Sequence, residues 1–65
     1  MVLEIDIWRT AAEMIKGYGD TADIEAAFRA DALLAKGDIE GQRVWMRVLR
    51  AIDQLQAKIP NGPVH

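Results

Sequence analysis

The chain has 65 residues, 51% hydrophobic and 28% charged, with a net charge of −2 and a pI near 5.1. This length allows one domain, and the acidic balance argues against a general nucleic-acid binder, which carries a positive excess. The chain has no cysteine and its one histidine is His65, so disulfides and a structural zinc site are excluded.

The start of the chain and its hydropathy predict a cytoplasmic protein. No segment approaches the ~20 apolar residues of a membrane span. The first six residues include two acidic side chains and no basic one, whereas a signal peptide begins with basic residues. The absence of cysteine is also typical of a reducing compartment.

The first predicted helix runs from about 5 to 18. Its apolar residues follow the i, i+3, i+4, i+7 spacing of one buried stripe. The stripe consists of Ile5, Trp8, Ala11, Ala12 and Ile15. Gly19 is expected just past the end of this helix, with Gly17 inside it.

The second predicted helix runs from 21 to 36, with Asp20 or Thr21 as its N-cap. It is apolar around most of its circumference, which favours a central helix covered on two sides. Asp31 lies on the same face as Ile24 and Phe28. We therefore interpret Asp31 as a semi-buried polar anchor that accepts a hydrogen bond from a tryptophan or an arginine. The alternative is that it organises a partner site.

The third predicted helix runs from 39 to 58. Gly37 is expected to close helix 2 and Asp38 to cap helix 3, while Gly41 is expected to leave room for another helix. The predicted buried stripe is Val44, Trp45, Val48, Leu49, Ile52, Leu55 and Ile59. Pro60 is expected to end the helix, leaving one domain over 1–59 and a flexible tail over 60–65.

The predicted fold class is all-α. Short corners favour a three-helix bundle, with a helical hairpin crossed by a third helix as the alternative. A chain this short has a thin stability margin and surplus apolar surface, which predicts a homo-oligomer. Four apolar residues lie off the main stripes and are either scattered surface residues or a seam for a second subunit. They are Ile7, Met14, Ile39 and Met46.

Three arginines of helix 3, Arg43, Arg47 and Arg50, lie within about 60° of one another on the face opposite the stripe. Segment 41–58 has four basic and one acidic residue, while 1–40 has four basic and nine acidic. Such a face suits an acidic partner, DNA phosphates or an anionic membrane, unless it is simply solvated. Asp38 and Glu40 at the start of helix 3 disfavour DNA. We predict a protein partner and no membrane binding.

The residue inventory predicts no enzyme. The chain has no serine or cysteine, and its aliphatic hydroxyls are those of Thr10 and Thr21, so the usual nucleophile–base pairs cannot form. The carboxylate pairs Asp20 with Asp23 and Asp38 with Glu40 are interpreted as helix caps. No catalytic residue, cofactor or metal site is predicted.

The chain resembles a family of small uncharacterised alphaproteobacterial proteins classed as a domain of unknown function. The resemblance covers nearly the whole chain to about Gln56. It rests on Trp8 with Ala11-Ala12, Gly19-Asp20, Arg29-Ala30-Asp31, Gly37-Asp38, Gly41, Trp45, and Ala51-Ile52 with Leu55. Where the family pattern has a histidine before the first-corner glycine, this chain has Tyr18.

The resemblance implies a compact helical protein and brings no activity. From the residues we predict a protein–protein interaction module or a self-associating structural protein. The alternative is a nucleic-acid-associated regulator that uses Arg43, Arg47 and Arg50.

Overall fold

The computed structural model describes residues 3–56, which are helical with no strand, so the predicted all-α class is confirmed. The elements are α1 (Glu4–Tyr18), a 3₁₀ turn (Gly19–Thr21), α2 (Ala22–Ala35) and α3 (Ile39–Leu55). α3 ends at Leu55, with Gln56 as its C-cap, so the predicted end at 58 is three residues too late. The burial of Ile59, the stop at Pro60 and the tail 60–65 lie outside the described residues.

The predicted first corner is a bend in one long helix, because the 3₁₀ turn joins α1 to α2 without an extended residue. Gly19 has a φ of 61°, in the left-handed region, and its N–H donates to the Ile15 carbonyl that ends α1. The prediction for Gly19 is therefore confirmed. The predicted side-chain cap of helix 2 is wrong at Thr21, whose hydroxyl donates to the Tyr18 carbonyl (3.0 Å) instead of accepting from α2.

The second corner reverses the chain as predicted. Gly37 has a φ of 85°, and its N–H donates to the Leu34 carbonyl while that of Asp38 donates to Leu33, both at 2.9 Å. This pair of bonds satisfies the last carbonyls of α2. The Asp38 carboxylate then accepts from the Gly41 N–H at 2.9 Å, so the predicted N-cap of α3 is confirmed.

Gly41 has a different role from the one predicted. A Cβ at this position would lie 2.7 Å from Oδ2 of Asp38. The glycine therefore makes room for the carboxylate that caps its own helix, and not for a neighbouring helix.

The central element is α3, and not helix 2 as predicted. α3 packs against both α1 and α2, whereas α1 and α2 contact each other sparsely. The buried residues of the described chain are Ile7, Ala11, Met14, Ala22, Ala26, Ala30, Val48, Ala51 and Ile52. α2 contributes only alanines to this set, which lets its backbone approach α3 closely.

The buried stripe of α1 agrees only in part with the predicted one. Ala11 is buried, and Trp8 and Ile15 are half-buried against the core, as predicted. Ile7 and Met14 are also buried, whereas Ile5 is 60% exposed and Ala12 is exposed. Two stripes with helical spacing fit this segment, and α1 is turned so that the 7–11–14 stripe packs on the core. Ile7 and Met14 are therefore core residues, and neither scattered surface residues nor part of a seam.

The predicted stripe of α3 is largely confirmed. Val48 and Ile52 are buried, and Val44, Trp45 and Leu49 are half-buried against the core. Leu55 is exposed at the end of α3.

Candidate partner-binding site

The arginine face of α3 forms a shallow depression. Arg43, Arg47 and Arg50 are all exposed, and together with Met46 they line a space of about 330 Å³. The i, i+4, i+7 spacing of the three arginines brings their side chains to one side of the helix. We call these four residues the arginine face.

The N-terminus of α1 lies against one edge of the arginine face. Arg47 Nη2 donates to Oε1 of Glu4, and the indole N–H of Trp8 donates to Oε2 of Glu4 at 3.1 Å. Both ends of the ion pair are largely exposed, so it contributes at most about 1 kcal/mol to stability. A smaller depression of about 190 Å³ lies beside this pair. It is lined by Glu4, Ile7, Trp8, Arg47, Arg50, Ala51 and Gln54.

The other two guanidinium groups of the arginine face are available to a partner. Within residues 3–56, neither Arg43 nor Arg50 forms an ion pair with a carboxylate. Their positive charges are therefore left to solvent or to a bound anion. Because guanidinium groups recognise carboxylates and phosphates through several directed N–H donors, either kind of anion suits this geometry.

Asp31 does not lie where the sequence predicted it. It is exposed, because α2 packs through Ala22, Ala26 and Ala30 and so turns the face that contains Asp31 towards solvent. Within the described part of the chain its carboxylate forms no ion pair. The indole of Trp8 donates to Glu4, and not to Asp31. The prediction of a semi-buried polar anchor is therefore wrong.

The polar cluster that does join the helices is centred on Arg29. Its guanidinium lies 5.1 Å from the ring centroid of Trp45 and 5.9 Å from that of Tyr18. Nη2 also donates to the Tyr18 hydroxyl at 3.1 Å, and Nε pairs with Glu25 at 3.3 Å. This cluster connects the end of α1, the middle of α2 and α3.

Sequence reasoning missed most of the Arg29 cluster. The i, i+4 spacing of Glu25 and Arg29 indicates their ion pair, and this pair is formed. The two aromatic rings are distant in sequence, and no periodicity within one helix could have brought them to Arg29.

In residues 3–56, no group of three histidine, cysteine, aspartate or glutamate side chains could hold a metal ion. None of the described helices combines the length and apolar character needed to cross a membrane.

The geometry defines a small all-helical protein with a basic depression on its central helix. Comparison with family models, curated proteins and solved structures finds no match for this chain. The resemblance to an alphaproteobacterial family therefore stays a prediction, and we infer a function from the residues of the site alone.

Proposed function

We propose that this chain is a protein–protein interaction module whose arginine face binds an acidic segment of a partner protein. The observation that carries the proposal is the shared depression of Arg43, Met46, Arg47 and Arg50, with two guanidinium groups unpaired among the described residues. Met46 is 43% exposed and supplies an apolar contact between the charges. A segment that alternates carboxylates with apolar side chains matches this pattern.

Glu4 supports the choice of a carboxylate ligand. Its side chain lies at the edge of the depression and already binds Arg47, so the chain itself supplies an example of the contact. A partner carboxylate would compete with Glu4 for Arg47 and would bind Arg43 and Arg50 without competition.

The nucleic-acid alternative has weaker support. The arginine stripe spans about two turns of α3, or roughly 10 Å, which allows few phosphate contacts. The acidic cap residues Asp38 and Glu40 lie at the N-terminal end of the same helix, where they would repel a phosphate backbone. The net charge of −2 adds to this repulsion.

The proposal takes a three-helix bundle as the working unit. Contacts between Glu4 and Arg47 and between Gln56 and Gly19 (2.9 Å) support this arrangement, in which the bend at Gly19 places α1 beside α3 and α1 fixes one edge of the arginine face. A cytoplasmic location also belongs to the proposal, because a chain without cysteine is typical of a reducing compartment.

The proposal is tested by fluorescence anisotropy with two labelled probes, a helical peptide of interspersed glutamates and leucines and a random-sequence DNA duplex. Reversing all three charges, as R43E/R47E/R50E, is expected to weaken peptide binding at least tenfold, which corresponds to about 1.4 kcal/mol. Binding should also weaken as salt rises, because exposed charge pairs are screened.

The matched control is the triple variant R9E/K16E/K36E, which changes net charge equally at exposed positions that do not line the arginine face. Its affinity for the peptide should stay within about twofold of the wild-type affinity, since charges outside the contact act only through long-range steering. Equal weakening by both triples would reduce the effect to overall charge and contradict the proposal. Binding of the duplex in place of the peptide would favour the nucleic-acid alternative.

A single substitution examines the competition at Arg47. Glu4→Gln removes the internal carboxylate and should strengthen peptide binding roughly threefold, because the partner no longer displaces an existing ion pair. Unchanged or weaker binding would mean that the partner does not contact Arg47.

A further inference from the structure

The outer side of α2 carries an apolar surface that nothing in residues 3–56 covers. Because Ala22, Ala26 and Ala30 point into the protein, the opposite side of α2 points to solvent. Three large side chains lie there, Ile24 (52% exposed), Phe28 (64%) and Leu34 (49%). Interspersed alanines complete the surface, which spans about 160° at 100° per residue. We define this outer α2 face as Ile24, Ala27, Phe28, Asp31, Ala32, Leu34 and Ala35.

We propose that the outer α2 face is a self-association surface, on which two copies of the chain pair through antiparallel α2 helices about a two-fold axis. This surface lies on a different helix from the arginine face and does not depend on the acidic-partner proposal. An apolar surface of this extent is comparable to the largest patch on a typical monomeric protein, and such patches often have a binding function. Two-fold dimers are the commonest assembly of identical chains.

The order of large and small residues on the outer α2 face favours a second copy of the chain as its binding partner. In an antiparallel pair centred at the level of Ala30, each large side chain of one helix lies opposite an alanine of the other. The pairs are Ile24 with Ala35, Phe28 with Ala32, and Leu34 with Ala27. Large side chains that alternate with small ones across an interface allow two helices to interdigitate at short axial distance.

The available area is sufficient for a weak specific dimer. The exposed parts of the three large side chains amount to roughly 350 Å² in each copy. With the alanines and Asp31, two copies would bury on the order of 1,000 Å², which is the lower limit for a specific interface. We therefore expect dissociation in the micromolar range.

Charges at the edge and at the centre of the face act in opposite directions. In the same register Lys36 of one copy lies near Glu25 of the other, and the two-fold axis produces this favourable pair twice. The axis also brings the two Asp31 carboxylates towards each other, because Asp31 is one residue from the centre. Two like charges in an apolar contact repel and weaken the pairing, so Asp31 limits the affinity of the dimer.

Sedimentation equilibrium of the full chain across the micromolar range tests the surface. The wild-type chain should show a monomer–dimer equilibrium, and Phe28→Glu should weaken association at least tenfold. The control is Ile5→Glu, which places the same charge at a residue that is 60% exposed on α1 and should leave association unchanged. Circular dichroism at 222 nm should give the wild-type helix content for each variant, which checks that its helices are kept.

Further substitutions test the antiparallel register of the two α2 helices and the contact of the Asp31 side chains at the two-fold axis. Ala32→Phe fills the space that receives Phe28 of the other copy and should weaken the dimer, while the exchange Phe28→Ala with Ala32→Phe should restore it. Asp31→Asn should tighten the dimer several-fold, because it removes the repulsion at the axis.

Each outcome decides the proposal. A wild-type chain that remains a helical monomer throughout the micromolar range overturns it and leaves the face to a different partner. Tighter association of Ala32→Phe would contradict the antiparallel register and indicate unspecific apolar contact. The R43E/R47E/R50E variant should dimerise as the wild type does, so failure of either proposal is recognised separately.

Discussion

The Arg29 cluster makes the sharpest prediction about stability. Replacing Arg29 by alanine removes its stacking on Trp45, which contributes about 0.5–1 kcal/mol at a partly exposed site. It also removes the Glu25 pair, which contributes about 0.3–0.5 kcal/mol, and the bond to the Tyr18 hydroxyl, which contributes about 0.5 kcal/mol at the surface. The expected loss in the free energy of unfolding is about 1.5 kcal/mol.

For a domain of this size, such a loss lowers the melting temperature by roughly 6–12 °C. Thermal and urea unfolding, followed by circular dichroism, measure it. Arg29→Lys keeps the charge near Glu25 but loses the planar group that stacks on the rings, so it should lose about half as much stability. Arg9→Ala is the control, because Arg9 is exposed on α1 and should change stability by less than about 0.5 kcal/mol.

A double-mutant cycle isolates the stacking contribution. Arg29→Ala and Trp45→Leu, made singly and together, should show a coupling energy of about 0.5–1 kcal/mol. A coupling below about 0.3 kcal/mol would refute the reasoning, since additive effects mean that the ring and the guanidinium stabilise the fold independently.

Two pairs of substitutions test the backbone and packing arguments. The added Cβ of Gly17→Ala meets no atom within 4 Å, so this substitution should raise the free energy of unfolding by about 1 kcal/mol. Gly41→Ala should not raise it, because its Cβ displaces the Asp38 cap, which contributes about 1 kcal/mol. Equal stabilisation by both in urea unfolding would contradict the capping role of Asp38. Ala26→Leu should lower the free energy of unfolding by about 1–3 kcal/mol, because the larger side chain overpacks against α3. Phe28→Ala should lower that of the monomer by less than about 0.5 kcal/mol. A larger loss for Phe28→Ala than for Ala26→Leu would mean that α2 packs through its other face.

Residues close to the helix ends predict where α1 and α2 stop and where α3 starts. Glycine past the end of a helix and aspartate before the next one act within a few residues, so Gly19, Gly37 and Asp38 could be placed without knowledge of the fold. The arginine face was equally local, because helical spacing alone puts Arg43 and Arg50 on one side of α3.

Which sides of α1 and α2 are buried depends on how the three helices pack, and the local sequence does not determine it. α2 is apolar on both sides, and its sequence predicts a central helix with both sides covered. The structure buries the alanine side, because small residues let the backbones of α2 and α3 come close enough to form a continuous contact. Asp31 and Phe28 are exposed for this one reason.

The sequence also did not predict where α1 packs. Whether Gly19 produces a full reversal or a bend depends on what α1 can pack against, and α1 packs mainly against α3. The contact of Glu4 with Arg47 follows from that packing, whereas the contact of Arg29 with Trp45 follows from the packing of α2 on α3. Residues of one helix can be grouped by periodicity, whereas pairs on different helices are fixed only when the helices dock.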